Sequence, residues 1–205
     1  MKKFLTIICT LAVFTTLVSC SETPEENSDM TEISVSESVA DSSEEETSQD
    51  DTPDVPADYK NALIKAQSYS DTMHMSKAGI YNQLTSEYGE NFPAEAADYA
   101  VENLNADYNL NALEKAKSYS DEQYMSKMGI YNQLISEYGE QFTESEAQYA
   151  VDNLVTDYNR NALEKAKSYQ ENMAMSTDDI YDQLISEYGE QFTPEEAQYA
   201  IDNLN

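Results

Sequence analysis

The chain of 205 residues contains no Trp, one His, two Cys, five Gly and five Pro, and sets 11 basic residues against 40 acidic ones. Each shortage excludes something. Cys9 and Cys20 both lie in the first twenty residues, so no disulfide framework can staple the rest of the chain. The single His leaves no Cys/His metal cluster and no Ser-His-Asp constellation that could occur more than once. A formal charge of −29 opposes any phosphate polyanion, which excludes a DNA-binding surface of the usual kind. Leu, Ile, Val and Phe together number only 36, and with this charge that is the composition of disorder. Where the apolar residues sit therefore decides whether anything folds.

The first twenty residues read MKKFLTIICTLAVFTTLVSC. Lys2 and Lys3 form a positive start, and the apolar run from Phe4 to Val18 is short for a membrane span, so residues 1–19 read as an export signal. Leu17-Val18-Ser19-Cys20 resembles a bacterial lipobox, in which cleavage falls just before the Cys and its thiol receives a diacylglyceryl group. Cys20 is thus the expected lipidation site, and more than one acyl chain on one residue gives stable anchoring. Residues 21–57 carry 13 Asp or Glu and no Lys or Arg among Ser, Thr and Pro. Such a stretch cannot bury enough apolar area to offset chain entropy, so residues 20–57 are expected to be a disordered, lipid-anchored acidic tether. A flexible chain of this length spans roughly 30–35 Å.

From residue 58 the sequence repeats every 50 residues, as Asn61, Asn111 and Asn161 mark in NALIKAQSY, NALEKAKSY and NALEKAKSY. MSKAGIYNQLTSEYGE, MSKMGIYNQLISEYGE and MSTDDIYDQLISEYGE come next, then AADYAVENL, EAQYAVDNL and EAQYAIDNL. All 16 Tyr fall here, gathered where a core is needed. The expected units are 58–106, 107–156 and 157–205, each of three short helices. The first helix of copy two runs over about Tyr108 to Ser120 behind an Asp107 cap. The second begins after Ser126, or after Ser176 in copy three, with Met175 stapling onto Ile180. Ile130, Tyr131, Leu134 and Tyr138 continue it at helical spacing, and Gly139 is expected to end it in the left-handed conformation. Thr143 with Glu146, and Thr193-Pro194 with Glu196, read as capping boxes for the third helix, with Phe142 and Phe192 stapling onto Ala147 and Ala197. Pro93 stands where the others have Thr, which predicts a cap differing by a residue in copy one. The short link Val155-Thr156-Asp157 leaves room for a partly continuous helix between copies. Units of this size should lean on one another.

The second and third helices outline a helix-turn-helix, but the DNA-reading version needs basic or amide side chains on its second helix. PAEAADYAVENL, ESEAQYAVDNL and PEEAQYAIDNL contain no Lys or Arg, so no nucleic-acid partner is expected. The recurring ALxKAxSY, MSKxGIYxQLxSEYGExF and AxYAVxNL resemble the Ltp-type repeat of host cell surface-exposed lipoproteins. The resemblance implies an all-α tandem array of three helix-turn-helix-like repeats displayed on the outer face of the cytoplasmic membrane. For members encoded by temperate phages of Gram-positive bacteria it further implies superinfection exclusion. In that role the incoming phage's tape-measure protein is the target and DNA injection is blocked. Copy three departs from the pattern with Thr177-Asp178-Asp179 in place of Lys-x-Gly.

No enzyme is expected. His74 aligns with Tyr124 and Ala174 and reads as a variable exposed loop residue, and the acidic runs lack the spacing of a calcium loop. No metal and no cofactor are called for. Tyr69, Tyr119 and Tyr169, like Tyr99, Tyr149 and Tyr199, recur beside Ala and read as core fillers or as half-exposed anchors for a partner. Glu87, Glu90, Glu137, Glu140, Glu187 and Glu190 recur at the end of helix two, where they oppose the helix dipole. Two readings stay open for them: ion pairs with Lys65, Lys115 and Lys165, or an acidic face for a basic partner. Residues 58–205 carry 27 acidic and 9 basic side chains, a field that favours cationic proteins. The alternative to phage exclusion is a chromosomal surface adhesin or envelope scaffold, for which repeats would supply avidity.

Overall fold

The computed structural model describes residues 55–204, which lie in one compact unit. The signal, Cys20 and nearly all of the tether fall outside them. Among the described residues there are nine helices in three sets of three, and none is long and apolar enough to cross a membrane. Repeat one holds α1 (Ala57–Met73), α2 (Lys77–Thr85) and α3 (Ala94–Asn103). Repeat two holds α4 (Tyr108–Gln123), α5 (Lys127–Ile135) and α6 (Glu144–Asn153). Repeat three holds α7 (Tyr158–Met173), α8 (Thr177–Ile185) and α9 (Pro194–Asn203).

In each repeat the first and third helices pack most extensively, and alanine is the reason. Ala112 and Ala116 on α4 face Ala147 and Ala150 on α6, all fully buried, so the two backbones approach closely. The second helix covers this pair with Ile130 and Leu134, which are also fully buried. Burying a residue of that kind is worth about 1.5–3 kcal/mol, and each repeat has few of them. Phe142 and Phe192 precede the third helices and sit buried in the same clusters as Ala147 and Ala197, as the staple requires. Met175 packs against the cluster that contains Ile180.

Most helix starts follow the sequence signals. Asp107 accepts from the backbone N–H groups of Asn109 and Leu110, while Ser126 and Ser176 accept from Gly129 and Asp179. Both capping boxes are closed, Thr143 with Glu146 and Thr193 with Glu196. Pro93 behaves otherwise than expected: α3 starts in the same register without any side-chain cap, because the fixed φ of proline suits the entry to a helix even though it offers no acceptor.

Four expectations are corrected at the helix ends. The second helix stops at Ile135, since Ser136 is extended (φ −60°, ψ 133°), so Tyr138 lies beyond it and is fully exposed. Gly139 is not left-handed; the residue that takes positive φ is Gln141, at 57°, as do Asn91 and Gln191. Gly139 is needed for a different reason: a Cβ there would stand 2.5 Å from the Gln133 carbonyl oxygen. The first helices end on left-handed His74, Tyr124 and Ala174, so these positions are helix caps, and His74 and Tyr124 are half-buried. The His74 N–H bonds Ser70 O and the Met75 N–H bonds Tyr69 O, the double closure of a Schellman ending built without glycine. Finally, no connecting helix joins the repeats: Leu154 is extended (φ −68°, ψ 120°) and Val155 is exposed.

Candidate functional site

The turn between the second and third helices, Ser-Glu-Tyr-Gly-Glu, divides its two carboxylates between inside and outside. In repeat two, Glu140 accepts from the Tyr119 hydroxyl at 2.5 Å and from Lys115 Nζ at 3.1 Å, both on α4. Glu90 accepts from Tyr69 at 2.6 Å and Lys65 at 2.9 Å. Glu190 accepts from Tyr169 at 2.5 Å and stands 3.1 Å from Lys165. Each triad ties the turn to the first helix of its own repeat. Hydrogen bonds from the Tyr69 hydroxyl and then from Lys65 hold the Glu90 carboxyl below its ordinary range. Burial, followed by donation to a carboxylate, pushes the Tyr119 and Tyr169 hydroxyls well above theirs.

Glu87, Glu137 and Glu187 are instead exposed, each beside a Tyr whose ring stands almost wholly in solvent: Tyr88 at 99 %, Tyr138 at 100 % and Tyr188 at 98 %. The tip is held firm by Ser136, whose hydroxyl accepts the Tyr138 N–H at 3.2 Å, and by the Gly139 approach to Gln133. Of the six recurring glutamates, three are therefore engaged in the turn's framework and three point outward with an aromatic neighbour. Tyr69, Tyr119 and Tyr169 pack on their cores, the Tyr99 ring meets that of Tyr59 tilted by 51° with centroids 5.3 Å apart, and Tyr149 and Tyr199 are exposed rather than core-filling.

Neighbouring repeats meet through a polar joint that recurs with the sequence period. Asn111, only 7 % exposed, donates from Nδ2 to Ser70 Oγ at 2.9 Å and to the Met75 carbonyl at 3.0 Å. Asn161 does the same to Ser120 Oγ and the Met125 carbonyl at 2.9 and 3.0 Å. The capping hydroxyls of Ser76 and Ser126 donate across the joint to the backbone carbonyls of Glu140 and Glu190, both at 2.6 Å. Asn82 and Asn132 add bonds to the side chains of Gln141 and Gln191. Apolar packing accompanies them: Tyr108 packs on the core of repeat one and Tyr158 on that of repeat two. Burial, with Glu196 and Asp152 nearby, pushes the Tyr158 hydroxyl up to about 12.

These residues were not singled out from the sequence. The Asn recurs before Ala62, Ala112 and Ala162 alike, yet Asn61 is exposed, so the recurrence alone does not mark a joint.

Beside each joint runs a groove. The one between repeats two and three, about 770 Å³, is lined by Met128, Tyr131, Val151 and Phe192 together with Glu187 and Glu196. Its counterpart between repeats one and two, about 490 Å³, is lined at matching positions by Tyr81, Val101, Gln141 and Glu146. Lys127, at the larger groove, pairs with Asp152 at 2.9 Å. No group of His, Cys, Asp and Glu among the described residues could hold a metal ion.

The chain matches the family of host cell surface-exposed lipoproteins over residues 58–104, 107–154 and 157–204. Among solved structures it is similar to Ltp, a superinfection exclusion protein from the Streptococcus thermophilus temperate phage TP-J34. The two share 48 % identity with a TM-score of 0.46, over 49 % of this chain and 99 % of that one. No curated protein matches the chain.

Proposed function

Because the chain belongs to the family of host cell surface-exposed lipoproteins, carrying three copies of its repeat, we propose that it is a superinfection-exclusion lipoprotein. Lipid on Cys20 anchors it to the outer face of the cytoplasmic membrane, and the acidic tether of residues 20–57 holds the repeats off that surface. There the repeats bind a basic segment of an incoming phage protein, the tape-measure protein in this reading, and DNA entry stalls. The observation that carries the proposal is the family match over all three repeats.

The chemistry of the turns supports a basic partner. Each repeat presents an exposed Tyr next to an exposed Glu on a firmly held turn. An aromatic face beside a carboxylate attracts Lys and Arg through both the ring quadrupole and charge. Three such tips in one chain let modest contacts add as avidity. Glu87, Glu137 and Glu187 are the contact residues in this reading, while Glu90, Glu140 and Glu190 shape the turn and contribute to the acidic field.

The test is a phage challenge of a host expressing the protein beside a strain carrying Cys20→Ser, scoring adsorption separately from DNA release. Normal adsorption with blocked release, weakened by Cys20→Ser, is the expected result. A companion variant with Glu87→Lys, Glu137→Lys and Glu187→Lys should lose exclusion while keeping its helical circular dichroism. Unimpeded DNA release from phages native to the host would overturn the proposal.

A further inference from the structure

We infer that the outer face of repeat three is closed against stacking by a further repeat, and that Gln170, Asp179 and Asp182 close it. The positions that depart from the repeat pattern in the sequence acquire a common explanation in the joint. The faces of repeats one and two that receive the next repeat share Ser70 and Ser120 as acceptors for its Asn, Gly79 and Gly129 beside its Glu carbonyl, and Asn82 and Asn132 as donors to its Gln. Repeat three keeps the backbone of that face but replaces all three chemistries.

Gln170 stands where the small buried Ser70 and Ser120 receive the incoming Asn. Asp179 stands where Gly129 brings a missing Cβ to 3.6 Å from the Glu190 backbone carbonyl oxygen, so the carboxylate of an Asp there would face another acceptor with no proton between them. It also captures the hydroxyl that the joint needs. Ser126 donates to Glu190 O across the joint, whereas Ser176 donates to Asp179 Oδ2 at 2.6 Å within its own repeat. Asp182 has no N–H to offer where Asn132 donates to Gln191. A turned Gln could not repair this cheaply, because Gln191 Nε2 is already donating to the Glu187 carbonyl. Ala174 also replaces Tyr124, over whose ring the Arg160 guanidinium lies at 6.0 Å across the second joint.

The experiment transfers the closing residues to repeat two of the full chain. Gly129→Asp with Asn132→Asp leaves both acceptors of Asn161 in place, so any change at Asn161 reports the opening of the joint. The local fold of repeat two should survive, since α8 starts on the same Ser cap with Asp179 at the matching position. Exchange of the Asn side-chain amide protons, followed by NMR, is the readout. Asn61 is exposed and serves as the open reference, while Asn111 serves as the closed one. Asn161 should exchange at least tenfold faster than in the parent chain and approach Asn61, with Asn111 unchanged. A second arm appends another copy of residues 156–205 to the chain, which keeps the 50-residue spacing and the link that carries Thr156. The added unit's counterpart of Asn161 should exchange like Asn61, and should become protected only with Gln170→Ser, Asp179→Gly and Asp182→Asn. Continued protection of Asn161 in the first arm, or protection of the added unit behind the native face, overturns the inference.

Discussion

Replacing the joint asparagines one at a time gives three chemically identical substitutions with different expected costs. Asn161 is 2 % exposed and donates two hydrogen bonds into repeat two. Asn161→Ala removes both. Ser120 Oγ keeps Thr156 Oγ1 at 2.7 Å as a partner, but the Met125 carbonyl loses its side-chain donor in a half-buried place. A neutral hydrogen bond contributes about 0.5–1.5 kcal/mol net and an orphaned buried acceptor costs about 1–3 kcal/mol, so the substitution should cost about 2–3 kcal/mol. In an array that melts cooperatively this lowers the midpoint by about 5–10 °C, at roughly 2–4 °C per kcal/mol. Asn111→Ala should fall in the same range. Asn61→Ala should stay within about 0.5 kcal/mol of the parent, since Asn61 is exposed. Thermal melts followed by circular dichroism would measure all three. Equal losses in the three variants would mean that the Asn serves its own helix, and the argument for a hydrogen-bonded joint would fail.

Gly139→Ala should lower the urea midpoint by the equivalent of about 1–3 kcal/mol, because its Cβ would press on the Gln133 backbone and side chain. Gly129→Ala, whose nearest neighbour would be Ser126 Oγ at 3.1 Å, should cost less than half of that in the same titration. Ala174→Gly should raise the midpoint by about 0.5–1 kcal/mol, since an exposed residue at φ 52° carries a left-handed strain that glycine lacks. Stability should fall as pH rises past 10, the ordinary tyrosine value above which Tyr119 and Tyr169 stay protonated in the folded state. The folded chain then binds more protons than the unfolded one, so the sign is a loss with rising pH, fully absent below that value. A chain carrying Tyr119→Phe and Tyr169→Phe should show a shallower alkaline slope in denaturant titrations repeated across pH.

The signals that could be read from sequence were the local ones. Asp107, Ser126, Thr143 and Thr193 cap helices through atoms within three residues, so their spacing is sufficient. The turn after helix two depends on where the chain goes next. Helical spacing carried Tyr138 one turn too far because Ser136, a poor predictor of an extended residue, ends the helix. The sequence context of Gly139 suggests the conformation glycines favour, but its role is close approach and the left-handed residue is Gln141. The recurrence of six glutamates was plain in the sequence, but the split between inward and outward carboxylates follows from the path of the turn over Tyr119 and Lys115. The joint was hidden for a stronger reason: Asn111 and Ser70 are 41 residues apart, and no local rule relates them.

The use of the cations bears on how an acidic array would meet a basic partner. Lys65, Lys115 and Lys165 pair with the framework glutamates, Lys117 and Lys167 with glutamates on their own helices, and Lys127 with Asp152. Six of the nine basic side chains in residues 58–205 are thus committed inside the repeats, against 27 acidic ones. The exposed tips of the three turns carry Glu87, Glu137 and Glu187 beside Tyr88, Tyr138 and Tyr188. At physiological ionic strength charge acts over only about 8 Å, so the acidic field raises encounter rates without defining a pose. In the proposed reading, orientation comes from contacts at the tips, where a ring and a carboxylate stand together on a turn fixed from within. That arrangement gives the two glutamates of each turn separate work. Removing Glu140 should loosen the tip, whereas reversing Glu137 should leave the tip intact and repel the partner.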